Sequence, residues 1–259
     1  MEPVYMSCET NISDFNVRSA SQITGFQDLA MNFLHLGWAE FILREPVAVK
    51  MWESYFDLFL DYAFLIIHRS GTPAAVGLTV PLTLKLPVHE LPDEGWQWMV
   101  GQVLRNASRK EIPNILCAVA AVVHPDFRGN GLASRIVMEM KSLAAKNALA
   151  GVIAPLRLPL KSRYPHMSMQ EYITWKCPDG KPYDPWLRVH LALGAKQLGI
   201  CSRSIIITAD LPKWTAWTGQ TFSASGEYFI PGGDAPLMVN LTENTGTYTA
   251  AGVWVMHVS

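Results

Sequence analysis

The chain has 259 residues, of which 49% are apolar and 17% charged, and it carries a formal net charge of −1. That composition is globular and can bury one sizeable core, while the near-neutral balance excludes the basic field that nonspecific nucleic-acid binding needs. No apolar run reads as a membrane span, since "YFDLFLDYAFLIIH" is interrupted by Asp57, Asp61 and His68. The opening "MEPVYMSCETNISDF" has neither the basic nor the hydrophobic segment of a signal peptide. Cys8, Cys117, Cys177 and Cys201 are scattered without paired spacing, so a soluble protein of a reducing compartment, the cytoplasm, is expected.

In chain order, "DFNVRSA" reads as a first strand. Ser21 then caps a helix over "QITGFQDLAMNFLHLG", and "EPVAVKMWESYFDLFLDY" reads as a second helix with Pro46 in its first turn. "AFLIIHRSGTPAAVGLTVPLTL" predicts a hairpin that turns at "RSGTP", followed by turn signals and an aromatic helical segment around "WQWM". "NILCAVAAVVH" is apolar enough for a strand buried on both faces. After it, Leu132, Ile136, Met140 and Leu143 recur as one helical stripe, and "GVIAPLR" returns as a strand. The stretch 155–184, rich in Pro, Tyr and Trp, reads as an irregular insertion. Asp184 and Pro185 then open a predicted helix over "PWLRVHLALGAKQLG", ending near Gly199. "SRSIIITAD" and "GTYTAAGVWVMHV" supply late strands. With no repeat and no clean linker, residues 1–259 read as one α/β domain with an elaborated C-terminal half.

The junction "HPDFRGNGLASRIV" is the most informative stretch. Gly129 and Gly131 permit backbone conformations that are costly for other residues, and they leave no side chain over the turn. The amides of such a turn, together with the positive end of the following helix, form an anion cradle, with Arg128 at its mouth. The segment lacks the Gly-Lys-Ser/Thr ending of a nucleoside-triphosphate loop. It also has Ser134 where a dinucleotide fingerprint needs glycine.

On "VVHPDFRGNGLASRIV", with its Arg-x-x-Gly-x-Ala pattern at Arg128, Gly131 and Ala133, the chain resembles the GCN5-related N-acetyltransferase superfamily. The resemblance implies a mixed, mostly antiparallel central sheet flanked by helices. It implies acetyl-CoA as co-substrate, its pyrophosphate held by Arg128, Gly129, Asn130, Gly131, Leu132, Ala133 and Ser134. It further implies a splay between two central parallel strands that admits the pantetheine arm, with Val122 and Val123 as candidates to contact that arm or to help polarise the thioester through their backbone groups. The long passage through "DPWLRVH" is similar to a divergent branch of decarboxylase-like acyltransferase domains, in which the histidine of an Arg-x-His helix is catalytic.

Amide formation from an amine needs a route for the amine proton, and an imidazole exchanges protons near neutral pH. His190, one turn after Trp186, is the first candidate, with a satisfied structural histidine as the alternative; the resemblance favours it over His124, His166 and His257. Tyr164 is a second proton donor candidate or a packing aromatic. Arg188 is a candidate to organise a carboxylate or pin a loop, and Tyr228 and Glu94 are candidate acceptor contacts, each with a packing or solvated alternative. Asp93 shares the reading of Glu94, Trp214 and Trp217 read as cavity wall or core, and Cys201 reads as structural. The dispersed histidines form no metal set.

These readings lead to an acetyl-CoA-dependent N-acetyltransferase acting on a small-molecule amine. Two alternatives stay open: a malonyl-type thioester decarboxylase that passes its acyl group to an acyl-carrier protein, and a noncatalytic acyl-CoA-binding protein. Against the decarboxylase, the threonine expected after the second parallel strand is missing from "VIAPLRLPLKSRY", whose first hydroxyl is Ser162.

Overall fold

The computed structural model describes residues 12–258; Cys8 lies outside them. Among the described residues nine strands form one sheet: β1 (Phe15–Ser19), β2 (Ala63–His68), β3 (Pro73–Leu82), β4 (Ile115–Val123), β5 (Gly151–Leu156), β6 (Lys196–Asp210), β7 (Gly226–Tyr228), β8 (Leu237–Asn240) and β9 (Thr245–Val258). Eight α-helices of the described residues flank it: α1 (Phe26–Gly37), α2 (Glu40–Leu43), α3 (Pro46–Leu58), α4 (Gly95–Arg109), α5 (Leu132–Lys146), α6 (Met169–Tyr172), α7 (Pro185–Ala192) and α8 (Leu211–Thr218). The sheet runs β1-β2-β3-β4-β5-β9-β8-β7, with β6 on the other side of β9. Every pairing is antiparallel except β4 with β5. The expected mixed, mostly antiparallel sheet flanked by helices is therefore observed.

Residues of α1 to α4 and α8 pack one core with β3, β4, β6 and β9. On α5, Leu132, Ile136, Met140 and Ala144 pack a second core with β1 to β5. The spacing of four continues to Ala144, so Leu143 is only partly buried. Segment 155–184 makes a third core with β5 and β9 through Leu158, Met169 and Tyr172. Pro155 and Leu156, read as the start of that insertion, belong to β5.

Glycine explains two of the helix boundaries that differ from the sequence reading; a third is the end of α3, at Leu58, beyond which residues 60–62 form a separate 3-10 turn. Gly25, at φ +71°, sits before α1, which therefore begins at Phe26 instead of just after Ser21. Gly194, at φ +83°, follows the end of α7 at Ala192, and Lys196 already pairs with Met256 of β9. The tail "AKQLG" consequently belongs to the loop and β6 instead of a longer helix. The second predicted helix forms as α3, where the Glu45 carboxylate accepts from the Ala48 amide at 2.8 Å and Pro46 opens the first turn.

Candidate active site

Strands β4 and β5 pair only at Leu116 with Val152 and Cys117 with Ile153, and then part. A cavity opens in the gap, walled on the strands by Ala118, Ala120, Ala154 and Pro155. Small residues leave the space that larger ones would fill, and Pro155 has no amide hydrogen to offer a ladder. Trp38 and Trp96 reach the cavity from the α1 and α4 face; Met140, Trp186 and His190 reach it from the α5 and α7 face. The Trp96 indole donates to the Val119 carbonyl at 3.0 Å, and its amide donates to Ser204 Oγ at 3.0 Å. That wall is therefore fixed by hydrogen bonds as well as by packing.

Beyond β4 the chain passes through a short 3-10 turn, Pro125–Phe127, into the glycine junction. Gly129 and Gly131 stand at φ +87° and +73°, a region that penalises side chains, and a Cβ on Gly129 would meet nothing within 4 Å. The space above the turn is open. Asn130 Nδ2 ties the loop to the Phe127 carbonyl at 3.1 Å. The amides of Leu132, Ala133 and Ser134 lie in the first turn of α5, ahead of the first helical hydrogen bond, which runs from the Arg135 amide to the Gly131 carbonyl at 3.1 Å. Arg128 is exposed beside them, while the Leu132 side chain is buried, so Leu132 can contribute only its backbone. Positive φ, open space, first-turn amides and an adjacent guanidinium together fit a pyrophosphate.

No family model matches the chain. An arginine N-acetyltransferase of Aspergillus versicolor, avaD, is 32% identical, the match covering 85% of this chain and 84% of that protein. The chain belongs to the GCN5-related N-acetyltransferase superfamily. In fold it is similar to the loading GNAT-like domain of CurA from Lyngbya majuscula, with a TM-score of 0.57 at 16% identity over 94% of this chain and 97% of that one. It is likewise similar to the GNAT-like decarboxylase GphF in complex with isobutyryl-CoA, with a TM-score of 0.56 at 14% identity over 94% and 98%. The superfamily's general chemistry, acyl transfer or decarboxylation on CoA thioesters, accords with the splayed strands and the loop.

In this member of the superfamily, α7 presents His190 to the cavity. Asp184 caps the helix, accepting from the Trp186 amide at 2.9 Å, and also accepts from the Tyr172 hydroxyl and the Leu160 amide, each at 3.1 Å. Trp186 and His190 follow one turn apart with ring centroids 6.0 Å from each other, and both line the cavity. His190 is 4% exposed, and its Nδ1 lies 2.9 Å from Nε2 of His257 on β9. Burial, then the neighbouring His257, hold the His190 imidazole down to about 3, so it is neutral at physiological pH. His257 is also lowered, by burial first and then by the charge of Lys141, against the opposing effect of the Leu193 carbonyl.

Sequence reasoning did not find the polar cluster beside this cavity. Arg157, just past β5, lines the cavity; its Nε lies 2.9 Å from Asp234 Oδ2, and its Nη2 donates to the Gly232 carbonyl at 2.6 Å. The buried Tyr248 hydroxyl donates to Asp234 Oδ1. Lys161, also buried, donates to the Asp234 carbonyl at 2.9 Å and to the Tyr164 carbonyl at 2.8 Å. Burial opposes the Arg157 charge, but Asp234 and Tyr248 raise its affinity for the proton overall. The signal in the sequence was slight: lone charges in the apolar contexts "APLRLPLK" and "PGGDAP".

The other sequence candidates lie elsewhere. Val122 packs against α1, where a Cβ on Gly37 would come within 2.7 Å of it, and Val123 packs against the α5 core. The wall residues of β4 are Ala118 to Ala121 instead. Tyr164 belongs to an aromatic cluster, its hydroxyl 3.2 Å from that of Tyr183 and its ring centroid 4.7 Å from Trp175. Arg188 pins the insertion, donating to Cys177 Sγ at 3.2 Å and to the Tyr183 carbonyl at 3.4 Å. The Tyr228 hydroxyl closes a turn on Ala224, and Glu94 faces Arg203 at 3.8 Å. His166 and Lys161 line a second cavity, and the His124 ring accepts from the Asp126 amide at 3.3 Å. Trp214 is core, its indole donating to the Gly246 carbonyl at 2.9 Å, and burial pushes the Cys201 thiol up to about 11. Among the described residues no cluster of His, Cys, Asp and Glu is arranged to hold a metal, and no helix is long and apolar enough to cross a membrane.

Proposed function

We propose that this protein is an N-acetyltransferase that moves the acetyl group of acetyl-CoA to the amine of a small molecule. The observation that carries this reading is a neutral histidine, His190, in the wall of the cavity that opens between β4 and β5. The thioester supplies the activated acyl group. Arg128 and the amides of residues 129–134 bind the pyrophosphate, and the splay gives the acyl arm a path to His190. His190 takes a proton from the acceptor amine as the carbon–nitrogen bond forms, and as the carbon–sulfur bond breaks the departing sulfur takes that proton from His190, so CoA leaves as a thiol and the histidine returns to its neutral form. Aromatic Trp38, Trp96 and Trp186 exclude water, which protects the thioester from hydrolysis. The relative that acetylates arginine supports an acceptor that carries a guanidinium group as well as an amine.

The deciding experiment incubates the protein with acetyl-CoA and a panel of amines that includes arginine, and reads acetylated products by mass spectrometry. Acetylated product that depends on His190 supports the assignment. Carbon dioxide release from malonyl-CoA without amine acylation would replace it with the decarboxylase reading, and stoichiometric CoA binding without turnover would replace it with a binding protein.

A further inference from the structure

His190 and His257 come from helix α7 and strand β9, 67 residues apart in the chain, yet their rings share one hydrogen bond at 2.9 Å. Both are buried and both are held toward the neutral form, so one imidazole donates and the other accepts. Two arrangements satisfy that bond. In one, His190 carries hydrogen on Nδ1 and keeps a lone pair on Nε2; in the other, His190 carries it on Nε2 and has no free lone pair.

The surroundings of His257 select between them. Its Nε2 is engaged by His190, which leaves Nδ1, buried and without a hydrogen bond of ordinary geometry, as the nitrogen on which the Leu193 carbonyl bears. The Leu193 amide is already given to Val189 at 3.1 Å, and a carbonyl can only accept. A carbonyl beside Nδ1 favours hydrogen on that atom, which makes His257 Nε2 the acceptor and His190 Nδ1 the donor of the 2.9 Å bond. Lys141 on α5 is the charged group whose field reaches His257, and it disfavours a second positive charge there. Arg188, on the same helix as His190, is turned toward Cys177 and Tyr183.

We propose that His257 is the positioning residue of the site: it holds His190 in the Nδ1-protonated form, leaving Nε2 free to receive the proton of the acceptor amine. When His190 takes that proton, its Nδ1 hydrogen stays bonded to His257, so the new charge is met by a hydrogen bond and no atom has to reorient. This proposal rests on the N-acetyltransferase reading for its chemistry, but its geometry is measurable without any acceptor.

The test combines two measurements. Long-range proton–nitrogen correlation spectra of protein labelled at histidine nitrogens, taken near neutral pH on the wild type, should show His190 protonated on Nδ1 and bare on Nε2. In parallel, His257→Phe should lower kcat roughly 10²-fold, the lower end of what a general base contributes, with the Kd for acetyl-CoA unchanged. His257→Gln, whose amide oxygen can still accept from His190, should recover most of that loss. A wild-type His190 protonated on Nε2 would overturn the proposal whether or not any variant folds, and so would a folded His257→Phe with wild-type kcat. Wild-type protein with the expected tautomer but no transfer to any amine would instead sink the N-acetyltransferase reading and leave the positioning of His190 standing.

Discussion

The loop that suits a CoA pyrophosphate and the wall that suits an acceptor are built on opposite principles. The loop is contiguous, running from Arg128 to Ser134, exposed at Arg128, Gly129 and Gly131, and made mainly of backbone amides presented by two positive-φ glycines. The wall is assembled from side chains that the chain keeps far apart: His190 with His257 at a separation of 67, Lys161 with Asp234 at 73, Arg157 with Gly232 at 75. A backbone site depends on local conformation and on little else. A buried side-chain site depends on every partner being present, since each group left alone keeps its desolvation cost.

That contrast breaks most sharply at His190. Replacement with Gln should lower kcat by about 10²- to 10⁴-fold, as expected for a general base, while calorimetry finds acetyl-CoA binding essentially unchanged. Equal losses in turnover and in cofactor affinity would show that wall and loop are not separable. The next largest effect belongs to Asp234→Asn, which leaves the Arg157 guanidinium without its carboxylate; loss of about 3 kcal/mol of stability is expected, read as a lower denaturant midpoint.

Acid should act on the wall as well. His190 titrates at about 3 in the folded chain against an ordinary value of 6.5, so between those values the unfolded chain binds the extra proton. The stability contributed by keeping it neutral is complete above 6.5 and falls with pH, by about 2 kcal/mol at pH 5. Denaturant unfolding of His190→Gln across that range should show a flatter acid slope. The loop should respond differently and less. Gly131→Val forces a side chain into φ +73°, which costs about 1–2 kcal/mol and should weaken acetyl-CoA binding with kcat at saturation retained. Arg128→Ala, which removes one exposed charge, should have the smallest effect, a several-fold rise in Kd that shrinks further at high salt.

The same contrast decides what could be read in advance. The central strands and α5 were legible because their signals are local: an apolar run, a glycine turn, a stripe with a spacing of four. The helix that brings His190 to the cavity wall was legible because "DPWLRVH" carries a cap, a proline and two aromatics on one face. His257 was passed over because "VWVMHV" reads as an ordinary alternating strand, and nothing local shows that its neighbour across the core is another histidine. The Arg157, Asp234 and Tyr248 cluster was missed for the same reason. Tyr164 and Arg188 show the limit of local signals, since aromatic and basic residues beside a cavity-lining segment also hold that segment in shape, as they do here against Trp175, Cys177 and Tyr183.

Strand β9 pairs along both edges, with β6 on one side and with β8 and β5 on the other; the two register shifts of its ladder with β6 place the extra residues on β6, and the alternation of faces along β9 continues past them. Along it, Tyr248 and Trp254 face the α1 to α4 core, while Val253 and Val255 face the segment 155–184 core, and His257 shares their parity. The strand thus acts as an indexing rail: one alternation sets both the tyrosine that holds Asp234 and the histidine that meets His190. A point substitution in β9 disturbs one of these assemblies. A one-residue insertion between them would carry one of the pair to the wrong face whichever half of the strand kept its register, so this stretch should tolerate changes of side chain far better than changes of length.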